Sequence, residues 1–459
     1  MSYRVRVASV YLLGFFIDLL NMFIANVAYP DIGRQLNASV SQLAWVSNGY
    51  ILGLTLVIPL SRWLAKRMGS KRLFILSLII FIIGTLGVIG AARIEQLILW
   101  RVVQGLGGGL LIPVGQAMTY VLYRNHERAK LSSAVMLVAL LAPALAPAIG
   151  GVLVDNVSWR WVFGASLPLA VFSLLLALAW LKRDVLTTDI EPLDVRGFIS
   201  GSAALTLILL GLTYMGEGER LNLGTTLMAF GILLMVWYVI ASLRKRQPLL
   251  NLRLIKDPML HTAMLIYQLV PGIFTGVSLI AMLYLQDLLG IHATLVGAMM
   301  FPWALAAFAA ISLTGKHFNE VGPRPLFIVG SLVQGWGIGL LMLVGSADDV
   351  VFAFISYALM GFGGSLCSSA AQSLAFIQVH DGDLADASAL WNINRQLSFC
   401  FGVTLISLLL SVLLNMQGIR QLQAYQLCFA LAAVSAFIPV LLSLRIMNSG
   451  VIPILNKEK

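Results

Sequence analysis

Fourteen apolar stretches, each long enough to cross a bilayer, follow one another along this chain as six, then two, then six. A helix rises about 1.5 Å per residue, so a hydrocarbon core of roughly 30 Å needs about 20 mainly apolar residues. The sequence predicts spans over 8–28, 43–60, 73–92, 97–119, 132–154, 161–181, 197–216, 223–243, 264–285, 295–314, 326–345, 351–374, 387–414 and 424–444. Hydrophobic residues make up 59% of the chain and charged residues 11%, a balance that the limited surface of a soluble protein of this size does not hide. The expected class is an all-α integral membrane protein, multi-pass in the cell (cytoplasmic or inner) membrane.

The net charge of +10 raises the question of a nucleic-acid partner, and the positions of the basic residues answer it. With a cytoplasmic amino terminus, 23 of the 30 Lys and Arg fall in cytoplasmic segments, 5 in external loops (Arg34, Arg93, Arg160, Arg220, Arg420) and 2 inside spans (Arg101, Arg395). This is the positive-inside pattern. Clusters such as Arg62, Lys66, Arg67, Lys71 and Arg72, or Arg244, Lys245 and Arg246, read as topological anchors, not as a nucleic-acid patch. An even number of spans puts both termini in the cytoplasm. Arg4 and Arg6 before an apolar run imitate a signal peptide, but the run is full length, contains Asp18 and Asn21, and ends without a small-x-small cleavage site. Cys367, Cys400 and Cys428 all lie inside predicted spans at spacings that match no metal or redox motif.

The longest linkers, 182–196 and 244–263, bracket the seventh and eighth spans. The expected organisation is an amino-terminal six-helix bundle over 1–183, linkers with an inserted helical pair over 184–252, and a carboxy-terminal six-helix bundle over 253–459. The halves echo one another: RWLAKRMGSKRLFIL follows the second span, and GKHFNEVGPRPLFIVG follows the second span of the second half. Duplicated bundles of this kind place a substrate site near the bilayer midplane.

Polar groups within hydrocarbon must be paired or face a cavity. Asp18 is the one carboxylate deep within a predicted span. Desolvation favours its neutral form and a nearby cation its charged form, as a proton site alternating between environments requires; a structurally paired carboxylate is the other reading. Asn21 and Asn26 fall within about 90° of it on a helical wheel, extend the same polar stripe and are candidate substrate-cavity residues. Arg101 keeps its charge in any setting and needs an acceptor or a wet cavity, so it serves either to cross-link carbonyls between helices or to assist proton transfer. The glycines at 105, 107, 108 and 109 permit close approach of a neighbouring helix. In LLAPALAPAIGGVL, Pro143 and Pro147 remove backbone hydrogen bonds while Gly150 and Gly151 allow tight packing, which suits a hinge. Arg395 with Asn392, Asn394 and Gln396 forms a second polar cluster, facing either a substrate cavity or carbonyls of neighbouring helices. Gln104, Trp45, Tyr50, Tyr267, Gln268 and Trp303 are candidate cavity residues offering stacking and hydrogen bonds, the aromatic ones otherwise forming interfacial belts. His380, Asp381 and Asp383 read as a solvated cytoplasmic turn, and no metal site is expected.

These residues resemble the major facilitator superfamily in its fourteen-helix drug:proton antiporter branch. NVAYP (26–30) resembles that branch's first-helix N-V-A-L-P, RVVQGLGGG (101–109) its fourth-helix R-x-x-Q-G-x-G-G, and APAIGG (146–151) its antiporter motif G-P-x-x-G-G. WRWVFGASLPLA (159–170) is similar to W-R-W-I-F-x-I-N-x-P-x-G, and NRQLSFCFGV (394–403) to R-Q-x-G-x-x-x-G. The resemblance implies the major facilitator fold, a part for Arg101 in proton coupling, an association of Pro147, Gly150 and Gly151 with export, and a gating loop after the second span of each half (Gly69, Arg72; Gly322, Arg324). Some positions depart from the pattern. The family's first-helix carboxylate would fall at Asn21, and the nearest acid is Asp18 one turn earlier. Arg62 and Lys66 stand where the gate loop has glycine and aspartate, Ala146 replaces the glycine before Pro147, and Ser166 replaces an asparagine.

The function expected is proton-coupled export of drugs or other small amphipathic molecules by alternating access, with Asp18 and Arg101 in proton coupling. The alternative is export of an endogenous metabolite, including an anionic one such as a siderophore; a receptor or scaffold without transport is the rival from another class. No paired carboxylates, nucleophile triad, phosphate loop or metal ligand set points to an enzyme. No cofactor is expected, and the expected partners are a small-molecule substrate, protons and the lipid bilayer, with the chain acting as a monomer.

Overall fold

The structure is a computed structural model that describes residues 2–122, 125–182, 192–216, 220–245, 248–375, 377, 379 and 384–444. His380, Asp381 and Asp383 lie outside the described residues, as does most of the 182–196 linker. All regular structure among the described residues is helical. The helices are α1 (Tyr3–Ile24), α2 (Tyr29–Leu36), α3 (Val40–Val57), α4 (Ser61–Met68), α5 (Ser70–Ile89), α6 (Ile94–Tyr120), α7 (Asn125–Asn156), α8 (Trp159–Gly164), α9 (Leu167–Trp180), α10 (Val195–Gly216) and α11 (Leu221–Arg244). They continue as α12 (Pro258–Leu269), α13 (Pro271–Leu283), α14 (Ala293–Ala298), α15 (Met300–Val321), α16 (Pro323–Leu340), α17 (Val350–Ala375), α18 (Leu384–Asn415), α19 (Gln421–Ser435) and α20 (Phe437–Leu444).

Thirteen helical runs among the described residues are long and apolar enough to cross a membrane, and α7 carries a further, shorter apolar run at Leu141–Asn156. Several spans differ from their predicted bounds because short breaks do not end them. The first run continues through a 3-10 turn at Ala25–Ala28 into α2, so it reaches Leu36, and Arg34 is helical with its Nη2 2.7 Å from Asp31 Oδ1. Pro271 likewise separates α12 from α13 within one run, Pro258–Leu288. Large apolar side chains project outward along the spans, Leu305 and Trp336 at 74% and 75% exposure, as expected where the surrounding solvent is lipid.

The chain divides into two compact units, one comprising residues 1–194 with His292–Ala298, the other 195–291 with 299–459. In unit 1, Val10, Phe74, Leu78, Leu111, Val114 and Ala177 build a core shared by α1, α5, α6 and α9. In unit 2, Leu260, Ile266, Phe327, Cys367, Leu374 and Trp391 do the same for α12, α16, α17 and α18. The pair α10–α11 is zipped by glycines: a Cβ on Gly211 would stand 2.7 Å from Met228 N, and one on Gly224 2.8 Å from Gly211 O. All three cysteines are buried.

The repeat read from the sequence has a backbone counterpart. Gly69 between α4 and α5 takes φ 84° and ψ 147°, and Gly322 between α15 and α16 takes φ 78° and ψ 174°. Both turns need a residue without Cβ, so each half makes the same bend at the same point in its helix order. Arg72 is exposed and Arg324 half-buried beside these turns. Lys71 donates to Leu178 O at 3.1 Å and also to Leu181 O, covering carbonyls at the end of α9.

Candidate functional site

The polar centre of unit 1 exists because α6 approaches its neighbours at backbone distance. A Cβ on Gly105 would lie 2.1 Å from Tyr50 O, one on Gly107 2.4 Å from Phe81 N, and one on Gly84 2.5 Å from Gln104 N. Such separations are open only to glycine, and they set α6 directly against α3 and α5. At that range the side chain of Arg101 reaches backbone on other helices. Its Nε donates to Val46 O on α3 at 2.8 Å, Nη2 to Asn21 O on α1 at 3.3 Å, and Nη1 to Gln104 Oε1 at 2.6 Å. Gln104 in turn donates from Nε2 to Asn21 Oδ1 at 3.0 Å and to Thr85 Oγ1 at 2.7 Å. Arg101, Gln104 and Asn21 have no exposed surface, so the guanidinium is held within protein.

Asp18, 1% exposed, lies beside this network. The Tyr50 hydroxyl donates to Asp18 Oδ1 at 2.5 Å, and the Arg101 guanidinium carbon sits 4.3 Å from the centre of the Tyr50 ring. One side chain thus touches the acid with its polar tip and the cation with its π-face. Gly108 leaves the room for this: a Cβ there would be 2.7 Å from both Asp18 Oδ1 and the Tyr50 hydroxyl. Phe163 of the WRWVF string closes the other side of Arg101, its ring centre 5.2 Å from the guanidinium carbon. Trp159 Nε1 of the same string donates to Gln35 Oε1 at 2.8 Å, and Arg160 Nη2 to Ala91 O at 3.1 Å, fixing α8 to the rest of unit 1.

Asn26 follows the helix that carries Asp18 and Asn21. It is half-buried in the 3-10 turn that follows α1, where the wheel of an α-helix no longer applies. Next to it, Tyr29 hydrogen-bonds Ser47, tying the NVAYP segment to α3. Trp45 is buried on α3.

Pro143 and Pro147 lie inside α7, which continues through both, and they and Gly150 and Gly151 are buried. A Cβ on Gly150 would meet Val27 Cγ2 at 2.7 Å, and one on Gly151 would meet Ala293 O at 2.4 Å. From the other side, a Cβ on Gly297 would be 2.2 Å from Pro147 O. The APAIGG stretch is therefore where α14 seats on α7. Asp155 Oδ2 completes the contact by accepting from Thr294 N at 2.8 Å and Thr294 Oγ1 at 2.6 Å.

In unit 2, Gln268 Nε2 donates to Asn394 Oδ1 at 3.0 Å and Asn394 Nδ2 to Met264 O at 3.2 Å, joining α12 to α18. Trp303 stacks on Phe274 with ring centres 5.6 Å apart. Arg395 and Asn392 are half-buried on α18, and Gln396 is 4% exposed. Thr85, Phe163 and Gly297 are the participants that sequence reasoning missed. A mid-span hydroxyl and small residues spaced to face other small residues were the available signals, but neither says which helices are neighbours.

The Major Facilitator Superfamily profile matches residues 11–403. The multidrug resistance protein B homolog of Mycobacterium tuberculosis (strain CDC 1551 / Oshkosh) is 30% identical over 417 residues, spanning 89% of this chain and 77% of that protein. A putative multidrug resistance protein, MdtD of Pectobacterium atrosepticum, is 27% identical over 409 residues, spanning 87% of this chain and 85% of that one. A solved POT family transporter in complex with 5-aminolevulinic acid shares the fold with a TM-score of 0.69 at 17% identity, over 96% of each chain. With a family match over most of its length and helical spans throughout, the chain belongs to the major facilitator superfamily: it is a multi-pass membrane protein for secondary-active transport of small molecules by alternating access, and not an enzyme.

Proposed function

We propose that this transporter is a proton-coupled exporter of drugs or other small amphipathic molecules. The observation that carries the reading is the buried Asp18, which accepts the Tyr50 hydroxyl at 2.5 Å while that ring lies against Arg101. A carboxylate in such surroundings changes its charge when its neighbours move, and a helix shift that separates Tyr50 from Asp18 alters proton affinity. Proton uptake on one side and release on the other then drive the cycle. The names of the two relatives above, a putative multidrug resistance protein and a multidrug resistance protein B homolog, support a drug-like substrate class.

The remaining roles follow in the same reading. Arg101, Gln104 and Asn21 hold the proton site; Pro143, Pro147, Gly150 and Gly151 act as the hinge; Gly69, Arg72, Gly322 and Arg324 act in the two gate loops. Asn26, Gln268, Trp303, Asn392, Arg395 and Gln396 contribute to substrate binding. Along the chain the pair α10–α11 is an insertion between two six-helix halves, the chain works as a monomer, and both termini are cytoplasmic. Export of an anionic endogenous metabolite is the second reading, favoured by Arg395, whose Nε is buried with no hydrogen-bond partner.

The test is efflux of a preloaded fluorescent amphiphile from proteoliposomes under an imposed pH gradient. Efflux should follow the gradient and stop when an uncoupler collapses it. Efflux that continues unchanged with the uncoupler present removes proton coupling from the proposal.

A further inference from the structure

We infer that the α12–α18 face of unit 2 is a binding site for the oxyanion of an aromatic amphiphile, with Arg395 as the anion's ligand. The inference rests on the exporter reading only in calling that ligand the substrate.

Trp391, Arg395 and Phe399 are four residues apart on α18 and so form one stripe of the helix. Tyr267 on α12 lies against both flanking rings, its ring centre 5.1 Å from Trp391 and 6.2 Å from Phe399. α12 is held to α18 at this height by the Gln268–Asn394 hydrogen bonds, and where the run continues into α13 a Cβ on Gly402 of α18 would collide with Gly272 O at 1.7 Å. Arg395 is thus held on an aromatic-walled stripe whose position is fixed. Its Nε is buried and has no hydrogen-bond partner.

Neither helical run carries an acid within two turns of Arg395 or Tyr267. No Asp or Glu occurs between Pro258 and Gln286 or between Leu390 and Asn415. The flanking acids are Asp386 on α18, nine residues before Arg395, Asp257, which caps α12 ten residues before Tyr267, and Asp287, 20 residues beyond Tyr267, which at helical rise stand about 14, 15 and 30 Å away along the chain. A guanidinium stays charged and offers a planar fork of donors, and leaving the Nε donor of that fork buried and unpaired is unfavourable. A carboxylate, sulfonate or phosphate satisfies that fork in bidentate fashion, and the rings beside it suit an aromatic body attached to the anion. A lipid phosphate has the same oxyanion chemistry, so the experiment separates it from a soluble ligand.

Purified full-length protein in nanodiscs is tested by equilibrium dialysis with 2-naphthoate and its uncharged isostere 2-naphthamide. Wild type should prefer the anion, and Arg395→Gln should weaken naphthoate binding about tenfold while changing naphthamide binding by less than about twofold. Arg395→Lys, which keeps charge but not the fork, should recover part of the loss. Equal affinity for the two probes in wild type, or an anion preference that survives Arg395→Gln in monodisperse protein, overturns the site. Naphthoate binding that is abolished when zwitterionic nanodisc lipid is replaced by phosphatidylglycerol assigns Arg395 to the lipid headgroup and also overturns it. Selective, Arg395-dependent binding without gradient-driven movement of the probe upholds the site and counts against the exporter reading alone.

Discussion

Asp18 and Arg101 meet through Tyr50, whose hydroxyl is 2.5 Å from the carboxylate and whose ring centre is 4.3 Å from the guanidinium carbon. Asp18→Asn preserves shape and an acceptor for Tyr50 while removing the exchangeable proton. It should reduce gradient-driven export to the level of empty liposomes and leave substrate binding in place; full gradient-driven export by this variant would falsify the proton assignment. Asp18 and Arg101 were legible in the sequence because charges within apolar runs stand out by composition alone. The part of Tyr50 was not. A tyrosine in a span is compatible with a lipid interface, a substrate cavity or a core, and only its contacts with two other helices distinguish these.

At the scale of elements, the glycines of α6 determine how far Arg101 can reach. Gly105→Ala gains up to about 1 kcal/mol of helix propensity but meets Tyr50 O at 2.1 Å, and overpacking of this kind typically costs about 1–3 kcal/mol. The net effect should be a lower thermal midpoint in detergent together with slower transport, because Arg101 Nε loses its distance to Val46 O. Gly315→Ala on α15 provides the contrast: nothing lies within 4 Å of its added Cβ, so the same substitution should leave the midpoint unchanged or raise it. Equal melting of the two variants would contradict the packing account. The glycine run was readable as a close-packing surface, whereas its partners on α3 and α5 were not, since small residues are interchangeable as packing surfaces. The same holds for APAIGG. Its capacity for tight packing is local, but its seat against α14, more than 140 residues away in sequence, is tertiary.

For the whole molecule, the excess of basic residues in alternate loops predicts an orientation that labelling checks directly. Cys367, Cys400 and Cys428 are all buried, so the wild type should react weakly with a membrane-impermeant maleimide. With a cytoplasmic amino terminus, Lys66→Cys, exposed on α4, should label only in inverted vesicles, and Ala92→Cys, exposed before α6, in intact cells. The reverse pattern would invert the topology.

The sequence by itself determined the solvent, the helical class, the repeat with its paired glycine turns and the family, because each depends on composition, short motifs or local backbone preference. Lipid excludes every spanning structure but helices and closed barrels, and runs of about 20 apolar residues select the helix. Only the tertiary structure decided that Arg101 bonds Val46 and Asn21 carbonyls, that Tyr50 joins the acid to the cation, and that Arg395 Nε is left without an acceptor on the aromatic face of α18. Those outcomes depend on which helices are neighbours and at what height. In lipid, where apolar faces are nearly equivalent, that choice comes from small-residue contacts and polar pairing between helices distant in the chain.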